Sequence, residues 1–245
     1  MKKILPLLAW MTIFCMAMAF LETAVVVYLR ELLYPDGFDF PLAPMPGHLL
    51  LTEILREFAT VIMLIGAGVF AGKTFTQKFA WFIYAFGTWD IFYYIFLKLL
   101  INWPASFMTW DILFLIPTTW TGPVISPLIV SFTMIVFALI ILNFAAKGYN
   151  ARIAPFEWGF LIAGSVILIL AFTRDYSGFI LENFSISELW TLPDKQMLYN
   201  TALSYIPRKF NWLIFITGEI IIVTAVFLYF IRLLNQKRIG IDNNI

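Results

Sequence analysis

Six long runs of apolar residues dominate this chain and restrict it to one class of fold. Each run approaches or exceeds the ~20 residues that an α-helix needs to cross a bilayer. Because the bilayer offers no water to bind backbone polar groups, such runs form helices. Charged residues make up 13% of the 245 positions, whereas soluble domains average about 25%. We predict an all-α polytopic membrane bundle, one integral-membrane domain over residues 1–245, with spans at 5–29, 52–72, 79–100, 123–145, 156–174 and 210–234.

The N-terminal run is open to two interpretations. Its basic start, apolar stretch and small residues Ala17 and Ala19 are typical of a cleavable signal peptide. The apolar run nevertheless continues through Ala24 to Leu29. We therefore interpret this run as an uncleaved first span.

The basic residues predict the orientation of the spans, because cytoplasmic loops are enriched in Lys and Arg. With the N-terminus inside, the cytoplasmic segments carry nine of the 16 Lys and Arg residues: Lys2, Lys3, Lys73, Lys78, Lys147, Arg152, Arg232, Lys237 and Arg238. Glu157 and Asp242 are the acids on that side. With six spans, both termini are predicted to be cytoplasmic, in a bacterial inner (plasma) membrane.

Three predicted outer segments are longer than simple turns. Residues 34–48 are rich in Pro and Gly and are expected to be extended. In 101–122, the apolar stretch between Pro104 and Pro117 is too short to cross, so we predict a short re-entrant or interfacial outer helix with Thr109 as its N-cap. Residues 175–209 are predicted to form an outer cap, with a surface helix over 194–206.

Four acidic residues lie inside the predicted spans, namely Glu22, Glu57, Asp90 and Glu219. An ionised carboxylate in hydrocarbon costs about 2.5–3.5 kcal/mol even on the mildest scale, so such residues usually face the interior of the bundle. With the predicted orientation, all four fall in the outer half of the membrane. This agreement in depth predicts one polar cavity that opens to the outside.

Helical spacing groups further polar residues with these acids. Glu53, Arg56 and Glu57 share one helical face. Asp90 and Tyr94 share a face of the next predicted helix, and this face continues to Lys98. We take Asp90, Glu57 and Tyr94 as candidate catalytic residues. The candidate ligand-binding residues are Glu22, Glu53, Arg56, Tyr93, Lys98, Trp110, Asp111 and Glu219. Depth alone suggests that Arg56 pairs with Asp90 or Glu22, and Lys98 with Asp111 or Glu53.

Each of these residues also has a purely structural interpretation. Glu53 and Arg56 can form an interfacial pair that neutralises itself. Lys98 can extend its amine to the lipid head groups, and the tryptophans can form an interfacial belt. A protonated Glu219 needs only a backbone carbonyl as a partner.

The composition excludes several kinds of cofactor site. The chain has one cysteine, Cys15, and one histidine, His48. It therefore cannot form an internal disulfide, a bis-His haem site or a cysteine-bound iron–sulfur cluster by itself. No spacing of carboxylates favours Mg²⁺ or Ca²⁺, and the net charge of +1 suggests no nucleic-acid partner. We expect no metal and no cofactor, and we expect membrane lipid as a partner, with a homo-oligomer or a membrane complex as further possibilities.

Part of the chain resembles a known but uncharacterised family. The segments are YLRELLYPDGFDFPL, TEILREFATVIML and FGTWDIFYYIFLKLLINWPASFMTWDILFLIPTTWTGPVISP. They resemble a bacterial family of polytopic inner-membrane proteins, over about residues 20–135. The resemblance implies a six-to-seven-helix membrane protein and implies no activity.

Three functions remain open at this point. The first is binding of, or chemistry on, an amphiphilic lipid or isoprenoid-type ligand beneath the aromatic mouth of the cavity. The second is a role as accessory subunit of a larger membrane complex. The third is proton- or cation-coupled transport, which the scarcity of polar residues in the inner halves of the spans disfavours. The sequence leaves open whether the protein is an enzyme.

Overall fold

The computed structural model describes residues 4–185, 187–188 and 195–236, and over these residues the chain is mostly helical. The elements are α1 (Leu5–Leu33), α2 (Gly47–Ala71), α3 (Phe75–Ile101), β1 (Trp110–Phe114), β2 (Trp120–Pro123), α4 (Ile125–Ala146), α5 (Pro155–Asn183), α6 (Lys195–Leu203) and α7 (Trp212–Leu234). Six of these helices, all except α6, are long and apolar enough to cross a membrane. The predicted all-α multi-pass bundle is confirmed.

Six crossings place the two ends of the described chain on the same side of the membrane. That this side is the cytoplasm stays a prediction. Five of the residues behind the orientation argument, Lys2, Lys3, Lys237, Arg238 and Asp242, lie outside the described residues.

Helix α3 is the centre of the first group of helices and packs against α1, α2 and α4. Ala80, Ala85 and Leu97 on this helix are completely buried. Gly87 allows α4 to approach closely, because a Cβ added there would lie 2.6 Å from the carbonyl oxygen of Ser131. The same approach brings the Ser131 side chain to Asp90, one helical turn beyond Gly87.

Helices α5 and α7 form a second group through a close glycine crossing. A Cβ added to Gly164 would lie 2.9 Å from the carbonyl oxygen of Gly218. Small residues at such crossings let membrane helices approach each other. This pair meets the first group where α7 touches α4, and α5 also touches strand β2. A seam therefore runs between the two groups of helices.

The outer helix predicted between Pro104 and Pro117 is wrong. Strands β1 and β2 form an antiparallel hairpin there, in which Asp111 pairs with Gly122. Trp110–Phe114 is composed mainly of aromatic and aliphatic residues that suit a strand packed on both faces. Thr109 is not a helix N-cap, and its Oγ1 accepts a hydrogen bond from Ser106 N at 3.0 Å.

Successive side chains of β1 point to opposite faces and contact different elements at the predicted outer end of the bundle. The Trp110 ring packs against Phe210, with ring centroids 6.2 Å apart. The next residue, Asp111, points to the opposite side and contacts Arg30 of α1 and Tyr94 of α3. The hairpin therefore closes the predicted outer end of the seam.

The fifth span extends further than predicted, because α5 continues to Asn183. Packing explains the extension, since the Phe179 ring lies 5.4 Å from the ring of Tyr205. Residues 175–183 of the predicted outer cap therefore belong to α5, and residues 186 and 189–194 of the cap lie outside the described part of the chain. The predicted surface helix over 194–206 is confirmed as α6.

Candidate functional site

Arg56 connects the acids of α1 and α2. Its Nη1 donates to the Glu22 carboxylate, and its Nε donates to Glu53 Oε2 at 2.9 Å. Glu53 is 8% exposed and the other two side chains are largely buried. The predicted pair of Arg56 with Glu22 is found, whereas the alternative pair with Asp90 is not. These three residues form a charge network that joins two helices.

Glu57 and Lys98 bind the backbone. Both carboxylate oxygens of Glu57 accept a hydrogen bond from Leu115 N, at 3.2 and 2.9 Å, which ties α2 to the residue after β1. Lys98 Nζ donates to the carbonyl oxygens of Asn102 and Pro104, at 3.3 and 3.0 Å. The predicted pairing of Lys98 with Asp111 or Glu53 is wrong, because the end of α3 offers its amine free carbonyl groups.

Asp111 is 2% exposed and its partner is Arg30, which the sequence analysis did not select. Arg30 Nη2 lies 3.3 Å from Asp111 Oδ1, and Tyr94 Oη donates to Asp111 Oδ2 at 3.1 Å. The Arg30 guanidinium also lies over the rings of Phe38 and Trp103, 4.4 and 3.8 Å from their centroids. Burial raises the pKa of Asp111 to about 6, although Arg30 and Tyr94 act to lower it.

Tyr93 and Trp110 pack among other aromatic residues. The Tyr93 ring meets Tyr94 edge-on, with centroids 5.0 Å apart. The backbone carbonyl oxygen of Tyr93 accepts a hydrogen bond from Thr23 Oγ1 at 3.3 Å. Trp110 packs against Phe210, as described above.

The remaining two acids, Asp90 and Glu219, line a cavity of about 570 Å³ in the seam, between α3, α4, α5, α7 and the hairpin. We call it the seam cavity. Asp90 Oδ2 accepts a hydrogen bond from Ser131 Oγ at 2.8 Å, and Glu219 Oε1 accepts one from Thr133 Oγ1. Helix α4 therefore offers one hydroxyl group to each carboxylate.

The walls of the seam cavity are apolar and rich in aromatic rings. Phe82, Phe86, Phe137, Trp158 and Phe172 are among the lining residues. On the α5 side, Ile162, Val166 and Ile169 are 59%, 50% and 40% exposed. Because these exposed residues also line the cavity, it opens sideways, within the length of a membrane-spanning helix.

Two polar atoms of the cavity lining are buried without a hydrogen-bond partner. They are Glu219 Oε2 and Trp120 Nε1. Leaving such a group unpaired costs about 1–3 kcal/mol. The seam cavity therefore combines an apolar wall with polar groups whose hydrogen-bonding capacity is unused.

The structure does not bring the predicted site residues into one cavity. Of the eleven candidates, Asp90 and Glu219 line the seam cavity. Glu22, Glu53 and Arg56 form their own network, and the others bind the hairpin, the end of α3 or neighbouring rings. No group of three or more His, Cys, Asp or Glu residues that could hold a metal ion is found in the described part of the chain.

No protein-family model, curated protein or solved structure matches this chain. The resemblance to a bacterial membrane-protein family therefore has no match that supports it. The fold and the buried groups define a class instead: the chain is a multi-pass helical membrane protein with buried carboxylates.

Proposed function

We propose that the protein binds an amphiphilic, lipid- or isoprenoid-type molecule in the seam cavity. The observation that carries the proposal is the pair of carboxylates, Asp90 and Glu219, within an otherwise apolar cavity of about 570 Å³. Small-molecule sites usually measure 300–1,000 Å³ and combine apolar walls with a few polar groups. The apolar part of the ligand would lie along the aromatic rings, and its polar head would meet the two carboxylates.

The two carboxylates of the lining indicate the chemistry of the head group. Asp90 and Glu219 are hydrogen-bond acceptors when ionised, so they favour a head group that carries a donor. A hydroxyl-bearing head group supplies such a donor. The lateral opening beside Ile162 and Val166 supports entry from the bilayer.

The cavity supports binding more directly than catalysis. Asp90 is the one candidate catalytic residue that lines it. Glu57 and Tyr94 are hydrogen-bonded to Leu115 and Asp111, and a catalytic role for them stays a prediction. Localisation in a bacterial inner membrane is likewise part of the proposal.

The two alternative functions remain proposals of lower rank. Transport requires a path to both faces of the membrane. At the predicted cytoplasmic end of the cavity, the rings of Phe79 and Trp158 pack 4.9 Å apart, which disfavours such a path. A role as accessory subunit would place partner chains on the lipid-facing surface.

The test is to purify the protein in mild detergent and to identify retained molecules by native mass spectrometry and lipid extraction. We expect about one amphiphile per chain. Asp90→Asn and Glu219→Gln should each weaken retention at least about tenfold, the effect of losing one charge-assisted hydrogen bond. Ser165→Trp should block the opening, and Ser165 is exposed enough to accept the larger ring.

The matched control is Glu31→Gln, which removes an exposed carboxylate outside the cavity. It should retain the amphiphile as the unmodified protein does. Equal retention by all four variants would overturn the proposal. Absence of any amphiphile from a folded, unmodified protein would also overturn it.

A further inference from the structure

The outer ends of α5 and α7 enclose a second cavity of about 710 Å³, which we call the outer groove. It is separate from the seam cavity and shares none of its carboxylates. Its lining includes Arg174, Asp175, Glu182, Arg208 and Lys209, together with aromatic residues. The groove therefore contains three cationic side chains and two acidic ones.

Two of these cations are free to bind a ligand. On the predicted outer side, Arg30 and Arg56 are paired with acids, and Lys98 is bound to backbone carbonyls. Arg174 and Lys209 are exposed, and neither side chain has a hydrogen bond or ion pair within the described residues. Both line the outer groove.

The acids of the groove already have partners. Asp175 Oδ2 accepts hydrogen bonds from Tyr205 Oη at 2.6 Å and from Arg208 N at 3.0 Å. Glu182 pairs with the Arg208 guanidinium at 2.8 Å. Asp175 Oδ1 also accepts a hydrogen bond from Lys209 N at 3.4 Å, so Asp175 holds the backbone of this turn against α5, and Lys209 and Arg174 line the same groove. Arg208 neutralises Glu182, whereas Asp175 binds neutral donors and keeps its charge, so the groove has a net positive charge of one, and its unpaired cationic side chains among the described residues are Arg174 and Lys209.

The surface of α7 next to the groove is apolar and exposed. Leu213, Ile216 and Ile220 are 78%, 49% and 59% exposed, and their spacing places them on one helical face. On α5, Leu170 lies one turn inward of Arg174 and is 54% exposed. Arg174 and Lys209 therefore lie near the ends of two spans, and exposed apolar residues continue from them along the helices. This arrangement matches a phospholipid, in which a charged head group is followed by acyl chains.

We propose that the outer groove binds a membrane phospholipid with an anionic head group. Arg174 and Lys209 hold the phosphate, and the acyl chains lie along Leu213, Ile216 and Ile220. The apolar stripes favour a lipid over a soluble anion, which would need only the cations.

The test measures lipid affinity by native mass spectrometry of the full chain in detergent. Phosphatidylglycerol and phosphatidylcholine with identical acyl chains are the two probes. The unmodified protein should prefer phosphatidylglycerol. Arg174→Gln and Lys209→Gln should each weaken its binding about fivefold, and the double variant about thirtyfold, the effect of one or two cations near a membrane surface.

Lys73→Gln is the matched control, because it removes one exposed positive charge at the opposite end of the bundle. It should leave the preference unchanged. The substituted side chains are exposed, so thermal unfolding should confirm that every variant is folded. Asp90→Asn should not alter the preference either, which separates this result from the test of the seam cavity.

Equal affinity for the two lipids would overturn the proposal. An unchanged preference in the folded double variant would overturn it as well. Inorganic phosphate should not displace phosphatidylglycerol. Displacement by phosphate at comparable concentrations would show that the groove binds a soluble anion instead of a lipid.

Discussion

At the scale of single residues, Arg56 is the cation on which two largely buried carboxylates depend. Removing one member of a buried ion pair costs about 3–5 kcal/mol, because the remaining charge loses its compensation. We expect Arg56→Met to lower the free energy of unfolding by about that amount. Adding Glu53→Gln should recover part of the loss. Chemical unfolding in detergent measures both effects.

The control for Arg56 is the exposed pair of Arg208 and Glu182. Exposed ion pairs contribute little to stability, so Arg208→Met should unfold much as the unmodified protein does. If Arg56→Met behaved like Arg208→Met, the network of Arg56 with Glu22 and Glu53 would not be a stabilising contact.

Asp111 makes the stability depend on pH. Its pKa is raised from 3.8 to about 6 in the folded protein, so the folded state binds this proton more tightly than the unfolded state does. Its contribution is complete below about pH 4 and is lost as the pH rises through about 6, a loss of up to ~3 kcal/mol. Asp111→Asn keeps an oxygen for Arg30 and Tyr94 but has no proton to titrate.

Unfolding measured at a series of pH values between about 4 and 8 tests this prediction. The unmodified protein should lose stability across the window, and Asp111→Asn should show a smaller slope. Identical slopes for the two proteins would mean that another group causes the dependence.

The sequence predicts buried acids better than it predicts their partners. Glu22 and Arg56 are each recognisable as charges inside apolar runs, and their similar depth is enough to suggest the pair. Arg30 lies near the end of a span, where a cation is commonplace, and Asp111 is 81 positions away. The path of the hairpin brings Arg30 and Asp111 together, and helical spacing in the sequence cannot predict this contact.

At the scale of elements, apolar length predicts all six spans to within a few residues at most ends, since a bilayer sets the length of a helix. The hairpin is different. A short apolar run such as Trp110–Phe114 has no periodicity that separates a strand from a helix. The sequence does not predict the C-terminal extension of α5 either. Packing of Phe179 against Tyr205 stabilises this extension, whereas the apolar length reports only the part of a helix that lies in the bilayer.

The crossing of α5 and α7 depends on a glycine that can be tested directly. A Cβ at Gly164 would lie 2.6 Å from Ile222 Cγ1 and 2.9 Å from a backbone oxygen. We expect Gly164→Ala to lower stability by about 1–3 kcal/mol, the usual cost of overpacking. Thermal unfolding in detergent measures the change.

Gly159 is the matched control, since it lies on the same helix and a Cβ there would meet nothing within 4 Å. Gly159→Ala should leave stability unchanged or raise it by up to about 1 kcal/mol, because alanine favours helix. If the two variants had equal stability, the close approach of α5 and α7 would not contribute to the fold.

At the scale of the whole molecule, the proposed function places the ligand in the seam between the two groups of helices. The hairpin joins the groups at the predicted outer end, and the rings of Phe79 and Trp158 meet at the other end. Between them the cavity opens sideways, so a ligand would exchange with the bilayer and not with water. The outer groove lies on α5, the turn over 208–211 and the start of α7, and it shares no lining residue with the seam cavity, so the two can be occupied independently.

The arrangement of the whole chain across the membrane is testable because Cys15 is completely buried and is the single cysteine. A membrane-impermeant thiol reagent should leave the unmodified protein unlabelled.

Engineered cysteines at the two ends of the bundle test the arrangement. Asp36 and Ser204 are exposed at one end, where a hydrogen bond between Met45 and Tyr199 connects their segments. Lys73 and Arg152 are exposed at the other end. In intact cells the reagent should label Asp36→Cys and Ser204→Cys, but not Lys73→Cys or Arg152→Cys until the membrane is opened. The reverse pattern would invert the orientation while keeping six spans, whereas labelling of one residue from each end would contradict the six-span arrangement itself.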